Sequence, residues 1–252
     1  MNFDIINNFF DKIYVLTLER ATERHLHFKK ELEGLNYTIF YGKDKKDFDI
    51  KNLIKQGIYD ESKARKIERY SRPMAPGMLG CSWSHKLIYE EIIKYRYKKV
   101  LIMEDDIVIN KNNWHLLPNA FNELPLNWEL LYFGFAKNET PPIFSYSKKI
   151  FYHILKSFNA IKFSHKTISN LYPRRLSPHI YKAGYHDCTH AYALTFSAAE
   201  KLLKLQSPIS FIPDNLLAHA ATNEIVNAYI ILPKIIDQEY QVGLSAYSYV
   251  NQ

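Results

Sequence analysis

Three consecutive acidic residues, Glu104, Asp105 and Asp106, directly follow a short apolar run. Neighbouring carboxylates repel one another, and buried charges need compensation. A hard divalent cation such as Mn²⁺ or Mg²⁺ takes carboxylate oxygens as ligands and can bridge the two phosphates of a nucleoside diphosphate. The triplet therefore predicts a metal and phosphate site, although an exposed acidic turn would have the same sequence.

Two arginines, Arg20 and Arg24, follow the first apolar run and stand four residues apart. If a helix covers both, that spacing puts the two guanidinium groups on one face. Paired guanidinium groups at the end of a strand suit phosphate recognition. The alternative is a solvated helix start in which Glu19 and Glu23 are the partners.

The remaining candidates are isolated residues. His85 is expected near the start of a helix behind two glycines, where backbone amides can bind anions. A lone histidine is nevertheless more often structural than catalytic, and the same reasoning applies to His190 and Asp214. These three residues are therefore candidates whose roles the sequence leaves open.

Short apolar runs predict the strands that would position these residues. They cover 13–18, 37–41, 100–103, 129–135, 191–196 and 228–232. Helices are predicted at 19–33, 50–56, 82–97, 150–163 and 197–205, the last with Ser197 as its cap. Strands that alternate with helices indicate an α/β domain with a largely parallel sheet. Ligands of such sheets bind beyond the carboxyl ends of the strands, where the acidic triplet is expected.

The basic charge of the chain is concentrated in the segment 140–186, which has no Asp or Glu. The segment holds Lys148, Lys149, Lys156, Lys162, Lys166, Arg174, Arg175 and Lys182. It accounts for the whole formal net charge of +7, so it is expected to attract phospholipid head groups, a phosphorylated acceptor or a nucleic acid. No nucleic-acid-binding motif accompanies the charge, so a nucleic acid is not the expected partner.

Within this segment, apolar residues and lysines alternate over 150–163 and predict a basic amphipathic helix. Such a helix suits the interfacial plane of an anionic membrane leaflet. The alternative is a solvated basic insertion.

With 252 residues, 47% of them hydrophobic, the chain can form one sizeable domain. Its two cysteines, Cys81 and Cys188, provide neither a disulfide framework nor a metal cluster, and they favour a reducing compartment. The first ten residues lack a secretory signal, and no apolar stretch reaches the roughly 18 residues that span a bilayer. A cytoplasmic protein is expected, either soluble or peripheral on the inner face of the cytoplasmic membrane.

Taken in order, these motifs resemble glycosyltransferase family 25, the family of bacterial lipooligosaccharide galactosyltransferases, which is related to collagen galactosyltransferases. The matching segments are Tyr14-Val15-Leu16-Thr17-Leu18-Glu19-Arg20 with Glu23-Arg24, Pro76-Gly77-Met78-Leu79-Gly80-Cys81-Ser82-Trp83-Ser84-His85, Val100-Leu101-Ile102-Met103-Glu104-Asp105-Asp106, Thr189-His190-Ala191-Tyr192-Ala193-Leu194-Thr195 with 199–203, Pro213-Asp214, and 233–238 with Ser245. The Gly-Cys-Ser-His segment and the acidic triplet, about 20 residues apart, are together its most specific part. The segment 140–186 matches nothing in the family's pattern.

The resemblance implies an α/β fold of the GT-A type, in which a Rossmann-like sheet that binds a nucleotide sugar is flanked by helices. A single domain, 1–252, would comprise a nucleotide-sugar-binding half (1–139), a basic, partly helical insertion (140–186) and an acceptor-side closing half (187–252). The implied reaction is an inverting transfer of a hexose, galactose first, from a UDP-sugar to a hydroxyl of a lipid-linked or lipooligosaccharide glycan. A non-catalytic glycan- or nucleotide-binding protein on the same scaffold is the alternative.

The resemblance also implies roles for the candidate residues. Asp106, with Glu104 or Asp105, is expected to hold Mn²⁺ or Mg²⁺. Contacts with the donor are expected from Arg20, Arg24, His85, Glu104, Asp105, His190 and Gln238. Inverting transfer needs a general base, for which Asp214 is the first choice and Asp187 the second. Asp214 could equally cap the helix that follows it.

Overall fold

The structure, a computed structural model, describes residues 1–68 and 71–244. Its strands are β1 (Lys12–Thr17), β2 (Thr38–Tyr41), β3 (Lys99–Glu104), β4 (Ile107–Ile109), β5 (Leu130–Ala136), β6 (Arg174–Arg175), β7 (Ile180–Lys182), β8 (Asp187–Thr195), β9 (Ala228–Ile231) and β10 (Ile236–Gln238). Its helices are α1 (Asp4–Phe9), α2 (Thr22–Glu31), α3 (Ile50–Lys55), α4 (Glu61–Ile67), α5 (Pro76–Tyr95), α6 (Leu117–Glu123), α7 (Ser145–Ser157), α8 (His165–Ser169), α9 (Phe196–Leu205) and α10 (Pro213–Thr222), with a 3-10 turn at Trp114–Leu116. Ser245, part of the resemblance, lies outside the described residues.

The central sheet has the strand order β2-β1-β3-β8-β5-β9-β7-β6. Strand β1 is parallel to β2 and to β3, and β5 is parallel to β9. Strand β8 is antiparallel to both of its neighbours, β3 and β5. The α/β architecture expected from the sequence is confirmed, but the sheet is interrupted at its centre by one strand of opposite direction, which the sequence did not predict.

Register brings three chain segments together at one edge of the sheet. Leu16 of β1 is paired with Glu104 of β3, so the carboxyl ends of the two strands lie side by side. On the other side of β3, Met103 is paired with Ala191. Because β8 is antiparallel, its first residues reach this edge, although they belong to the closing part of the chain. Residues 1–139 and 187–252 therefore contribute strands to the same sheet.

Apolar side chains cover both faces of the sheet, because alternate residues of each strand point to opposite sides. On one face, Ile13 and Val15 of β1 pack with residues of α1, α2 and α6. On the other face, Tyr14 and Leu16 pack with residues of α5, α9 and α10. The sheet is thus flanked by helices on both faces, as expected.

Helix α5 begins at Pro76 rather than at 82, which corrects the predicted start of this helix; Gly77 and Gly80 lie within it and not before it. Proline suits the first turn of a helix because its φ is already helical and its missing N–H needs no partner there. Gly80 has a packing role: a Cβ atom at this position would lie 2.5 Å from the Lys43 carbonyl oxygen. The glycine therefore lets α5 approach the loop that follows β2.

Two further local predictions are corrected. The cap of α9 is Thr195, which accepts a hydrogen bond from Ala198 N, whereas the Ser197 hydroxyl donates to Glu129. Arg20 precedes α2, which begins only at Thr22, so the two arginines do not share a helix face.

The basic segment 140–186 is partly helical, as expected, and contains α7 and α8. It also adds two short strands to the side of the central sheet beyond β9: β7 pairs with β9, and β6 pairs with β7 as the outermost strand. These strands were not predicted, because three residues are too few for a recognisable alternation. Among the described residues, no helix has the length and apolar composition needed to cross a bilayer.

Candidate active site

An open cleft of about 670 Å³ lies at the edge of the sheet where β1 and β3 end. Its lining residues are Leu16, Thr17, Leu18, Arg20, Arg24, Gly42, Lys43, Asp44, Lys45, Gly77, Cys81, Ser84, Glu104, Asp105, Asp106 and Gln238. The whole acidic triplet and both arginines thus meet in one cleft, as the sequence predicted.

Asp105 is held by two neighbours and is nearly inaccessible to solvent. One of its carboxylate oxygens accepts a hydrogen bond of 2.5 Å from the Thr17 hydroxyl, and the other lies 2.5 Å from Arg24 Nη1. Both oxygens are therefore engaged by the protein. This geometry makes Asp105 an anchor for Arg24 and for the end of β1 rather than an available metal ligand.

Asp106 differs from its neighbour because one of its oxygens has no partner. Gln238 Nε2 donates to Oδ2 over 2.9 Å, Arg24 Nη1 lies 3.5 Å from the same oxygen, and the buried Oδ1 makes no hydrogen bond. Burial and the charge of Glu104 raise the pKa of Asp106 to about 7, although Arg24 acts in the opposite direction. A buried carboxylate oxygen without a partner fits a divalent cation, which would replace the missing positive charge.

Glu104 points toward α5 and β8. It accepts a hydrogen bond of 2.6 Å from the Thr189 hydroxyl, and its Oε1 lies 3.5 Å from His85 Nε2. Burial acts to raise the pKa of Glu104, but His85 and Thr189 together hold it below its usual range. Glu104 is therefore ionised, and its charge is available beside Asp106.

His85 is buried in the middle of α5 and does not face the cleft as an anion-binding residue. Its Nδ1 lies 2.7 Å from the Tyr192 hydroxyl, and its Nε2 is buried without a hydrogen-bond partner. The ligand atoms of Cys81, His85 and Glu104 lie within 4.8 Å of one another. Burial raises the pKa of Cys81 well above its usual value, so its thiol stays protonated, which disfavours metal binding through sulfur. The oxygen donors Glu104 and Asp106 are the chemically suitable ligands for Mn²⁺ or Mg²⁺.

His190 is fully buried and is not among the residues that line the cleft. One of its ring nitrogens, Nε2, lies 3.4 Å from the Ile236 carbonyl oxygen, and burial lowers its pKa to about 4. A Cβ atom on Gly134 would come within 2.2 Å of the same nitrogen, so the ring fills the space beside this glycine. The structure gives His190 a packing position between β5 and β10.

Three residues that sequence reasoning overlooked also face the cleft: Lys43, Asp44 and Lys45. They lie in the loop after β2, whose carboxyl end is beside that of β1. Asp44 forms an ion pair with Arg20. Their position directly after a predicted strand could have placed them at the cleft. That step required knowing that β2 pairs with β1, which the sequence does not show.

The two candidate bases lie on the β8 side of the acidic triplet. Asp214 is in the first turn of α10, where its Oδ1 accepts a hydrogen bond of 2.7 Å from Asn215 N. Burial, then the charges of Asp187 and Glu104, raise the pKa of Asp214 to about 6. Asp187 begins β8 and forms an ion pair with Lys137, whose side chain is 70% exposed. Neither aspartate lines the cleft described above, but Asp214 is close enough to Glu104 to feel its charge.

The different surroundings of the two arginines predict different consequences of their removal. We expect Arg24→Ala to lower the free energy of unfolding by about 3–5 kcal/mol, because it leaves two buried carboxylates without their cation. Arg20→Ala should cost less than about 1 kcal/mol, since the Arg20 side chain is 32% exposed. Chemical denaturation of both variants measures the difference, and equal losses would contradict the assignment of Arg24 as the buried partner.

The raised pKa of Asp106 predicts that stability without metal depends on pH. The native state binds a proton more tightly than the unfolded chain, so its free energy of unfolding should fall as pH rises through about 7. Added Mn²⁺ should raise Tm more at pH 8 than at pH 5.5, because the cation replaces the proton. Asp106→Asn should remove most of both effects. Thermal melting at the two pH values tests this, and an unchanged Mn²⁺ response in Asp106→Asn would contradict it.

A family model and related proteins identify the same family for this chain. The model of the family described as "Glycosyltransferase family 25 (LPS biosynthesis protein)" matches residues 10–217. A "Glycosyltransferase 25 family member" of Anopheles gambiae is 28% identical over 212 residues, which are 80% of this chain and 30% of that protein. Human "Procollagen galactosyltransferase 2" is 27% identical over 130 residues, which are 50% of this chain and 21% of that protein.

A third relative is named as an inactive member of the family. Human "Inactive glycosyltransferase 25 family member 3" is 26% identical over 208 residues, which are 78% of this chain and 29% of that protein. This chain therefore spans less than a third of the length of each of these three relatives.

Proposed function

The chain belongs to glycosyltransferase family 25, and on that premise we propose that it is an inverting, metal-dependent hexosyltransferase. It would move galactose from UDP-galactose to a hydroxyl group of a lipid-linked or lipooligosaccharide glycan, on the inner face of the cytoplasmic membrane. The galactose assignment is supported by the relative named as a galactosyltransferase. The acceptor assignment is supported by the family's description as lipopolysaccharide biosynthesis proteins.

The observation that carries the proposal is the cleft in which the acidic triplet meets two arginines. Asp106 has a buried oxygen without a partner, and Glu104 is ionised beside it. Mn²⁺ or Mg²⁺ held by Asp106 and Glu104 would neutralise the charge that develops on the departing UDP.

We assign the surrounding residues to binding and positioning. Arg20, on the rim of the cleft, is suited to contact the diphosphate or the nucleotide side of the donor. Arg24 is engaged with Asp105 and Asp106, so it would orient these two carboxylates. Gln238 would orient Asp106 by the hydrogen bond to its Oδ2. His85, behind Glu104, would act as a positioning residue through that carboxylate.

Inversion requires the acceptor hydroxyl to attack the anomeric carbon on the face opposite the departing UDP, while a base takes its proton. Asp214 is our choice of base. Its pKa of about 6 leaves it ionised at neutral pH yet basic enough to accept a proton. Asp187 is less suitable, since its carboxylate is already paired with Lys137.

A screen of donors tests the proposal. The protein would be incubated with Mn²⁺ and each common UDP-sugar, and the release of UDP recorded with an EDTA control. We expect slow hydrolysis of UDP-galactose that EDTA abolishes. Turnover of a different UDP-sugar would correct the donor and retain the reaction class.

The inactive relative supports one other candidate, a protein that binds a nucleotide or glycan without transferring a sugar. Calorimetry with UDP distinguishes the two when no hydrolysis is seen. UDP binding with no turnover, even with glycan acceptors added, would favour the binding protein. No turnover and no UDP binding would overturn the assignment of the cleft.

A further inference from the structure

Helix α7 turns its polar side toward the protein. Lys149 Nζ donates a hydrogen bond of 2.7 Å to the Ser169 carbonyl oxygen, and His153 Nδ1 lies 2.9 Å from His165 Nδ1. Both partners belong to α8, against which α7 packs. A surface helix ordinarily buries its apolar stripe and exposes its polar side. The orientation of α7 is the reverse.

The opposite side of α7 is apolar and faces solvent. Ile150, Phe151, Ile154 and Phe158 follow helical spacing and are 46%, 56%, 51% and 80% exposed. Just before the helix, Ile143 is 94% exposed. We call these five residues the outward apolar face. Large exposed apolar patches on a protein indicate an interaction site, because exposing such an area to water is unfavourable.

The charge around the outward apolar face limits what can cover it. The segment 140–186 contains no acidic residue, and the exposed Lys148 lies next to the face in α7. A second copy of the chain would bring an equally basic segment against this one, which is electrostatically unfavourable. Exposed apolar side chains beside a lysine, in a segment without acidic residues, are instead typical of helices that lie in the head-group region of anionic membranes.

We propose that the outward apolar face of α7 inserts into the head-group region of a bilayer containing anionic phospholipid. The contact itself follows from the orientation and charge of α7. Its purpose rests on the proposed function, because it would hold the protein where a lipid-linked acceptor lies.

The basic segment is connected to the acceptor side of the proposed site. Helix α8 packs against α10, whose first turn carries Asp214. The Tyr185 hydroxyl donates a hydrogen bond of 2.8 Å to Asn215 Oδ1, directly beside Asp214. A membrane bound at α7 would therefore be attached, through α8 and α10, to the element that carries the proposed base.

Vesicle co-sedimentation tests the proposal. The full chain would be mixed with vesicles of phosphatidylcholine alone or of phosphatidylcholine with phosphatidylglycerol. We expect binding to the mixed vesicles to be at least about tenfold tighter, and to weaken with salt because part of the attraction is electrostatic. Equal and negligible binding to both kinds of vesicle would overturn the proposal.

A matched pair of double variants distinguishes a specific role of the outward apolar face from a general effect of exposed apolar side chains. Phe151→Ser with Ile154→Ser should weaken binding to mixed vesicles about tenfold or more for each residue, since each apolar group leaves the bilayer. Leu26→Ser with Leu126→Ser removes two apolar side chains that are 73% and 104% exposed outside the basic segment, and it should bind like the unaltered chain. Equal binding by both double variants would overturn the proposal.

Two further measurements distinguish the remaining outcomes. Sedimentation equilibrium would detect a dimer; a dimer that is lost in Phe151→Ser with Ile154→Ser would show that a second copy covers the face, which overturns the membrane proposal. UDP release without lipid should be unchanged in that variant, because the substitutions lie outside the cleft. Vesicle binding without any UDP release, even from the unaltered chain with glycan acceptors added, would retain the membrane contact and reject the proposed transfer.

Discussion

Replacing Asp106 by asparagine is expected to reduce the release of UDP from the proposed sugar donor by at least about a hundredfold, because the proposed cation would lose its most suitable ligand. Asparagine keeps the shape of the side chain and its hydrogen bond with Gln238 can be re-formed, but it cannot supply the negative charge. Steady-state kinetics with saturating Mn²⁺ measures the loss.

Two comparisons make the Asp106 result specific. Asp47→Asn changes an exposed carboxylate in the loop after β2 and should leave turnover unchanged. Metal titration should show weaker Mn²⁺ binding in Asp106→Asn and no change in Asp47→Asn. Normal turnover by Asp106→Asn would mean that Asp106 does not hold the cation and would direct attention to Glu104.

Replacing Asp214 by asparagine is expected to lower the rate of transfer to a glycan acceptor by about 10²–10⁴-fold, the usual contribution of a general base. Affinity for UDP should be nearly unchanged, because Asp214 does not line the cleft that contains the acidic triplet. Transfer kinetics together with UDP calorimetry separate these two effects.

Asp187→Asn is the control that distinguishes the two candidate bases. Its loss of activity should be much smaller, because the Asp187 carboxylate is already paired with Lys137. Transfer by the unaltered chain should also decline as pH falls through about 6, where Asp214 becomes protonated. A large loss in Asp187→Asn with normal activity in Asp214→Asn would exchange the roles.

Structural features that depend on residues close together in the sequence were predicted correctly. The apolar run 100–103 followed by three acids specifies a buried strand with carboxylates at its end, because strand burial and chain direction are local properties. Arg20 and Arg24, which follow β1, could be expected in the same place because parallel neighbouring strands end at one edge of a sheet. The acidic triplet, the two arginines and the α/β architecture therefore followed from the sequence.

Contacts between distant segments could not be obtained in this way. Thr189 reaches Glu104 only because β8 is antiparallel and lies next to β3. Gln238 reaches Asp106 because β10 pairs with β4, placing Gln238 opposite Ile107. Strand order and direction depend on long-range packing, so the supporting residues around each acid were decided by the tertiary structure alone.

The orientation of α7 shows the same distinction. The alternation of apolar and basic residues over 150–163 was enough to predict an amphipathic helix, although the structure begins and ends it earlier, at Ser145–Ser157. An amphipathic pattern has two sides and does not state which one faces the protein. That choice depends on the α8 groups that receive Lys149 and His153, and it determines whether the apolar side is buried core or an exposed binding surface. By itself, the sequence predicted the acidic triplet and the two arginines of the cleft and the two-sided character of this helix. The tertiary structure decided which groups surround each acid and which side of the helix faces outward.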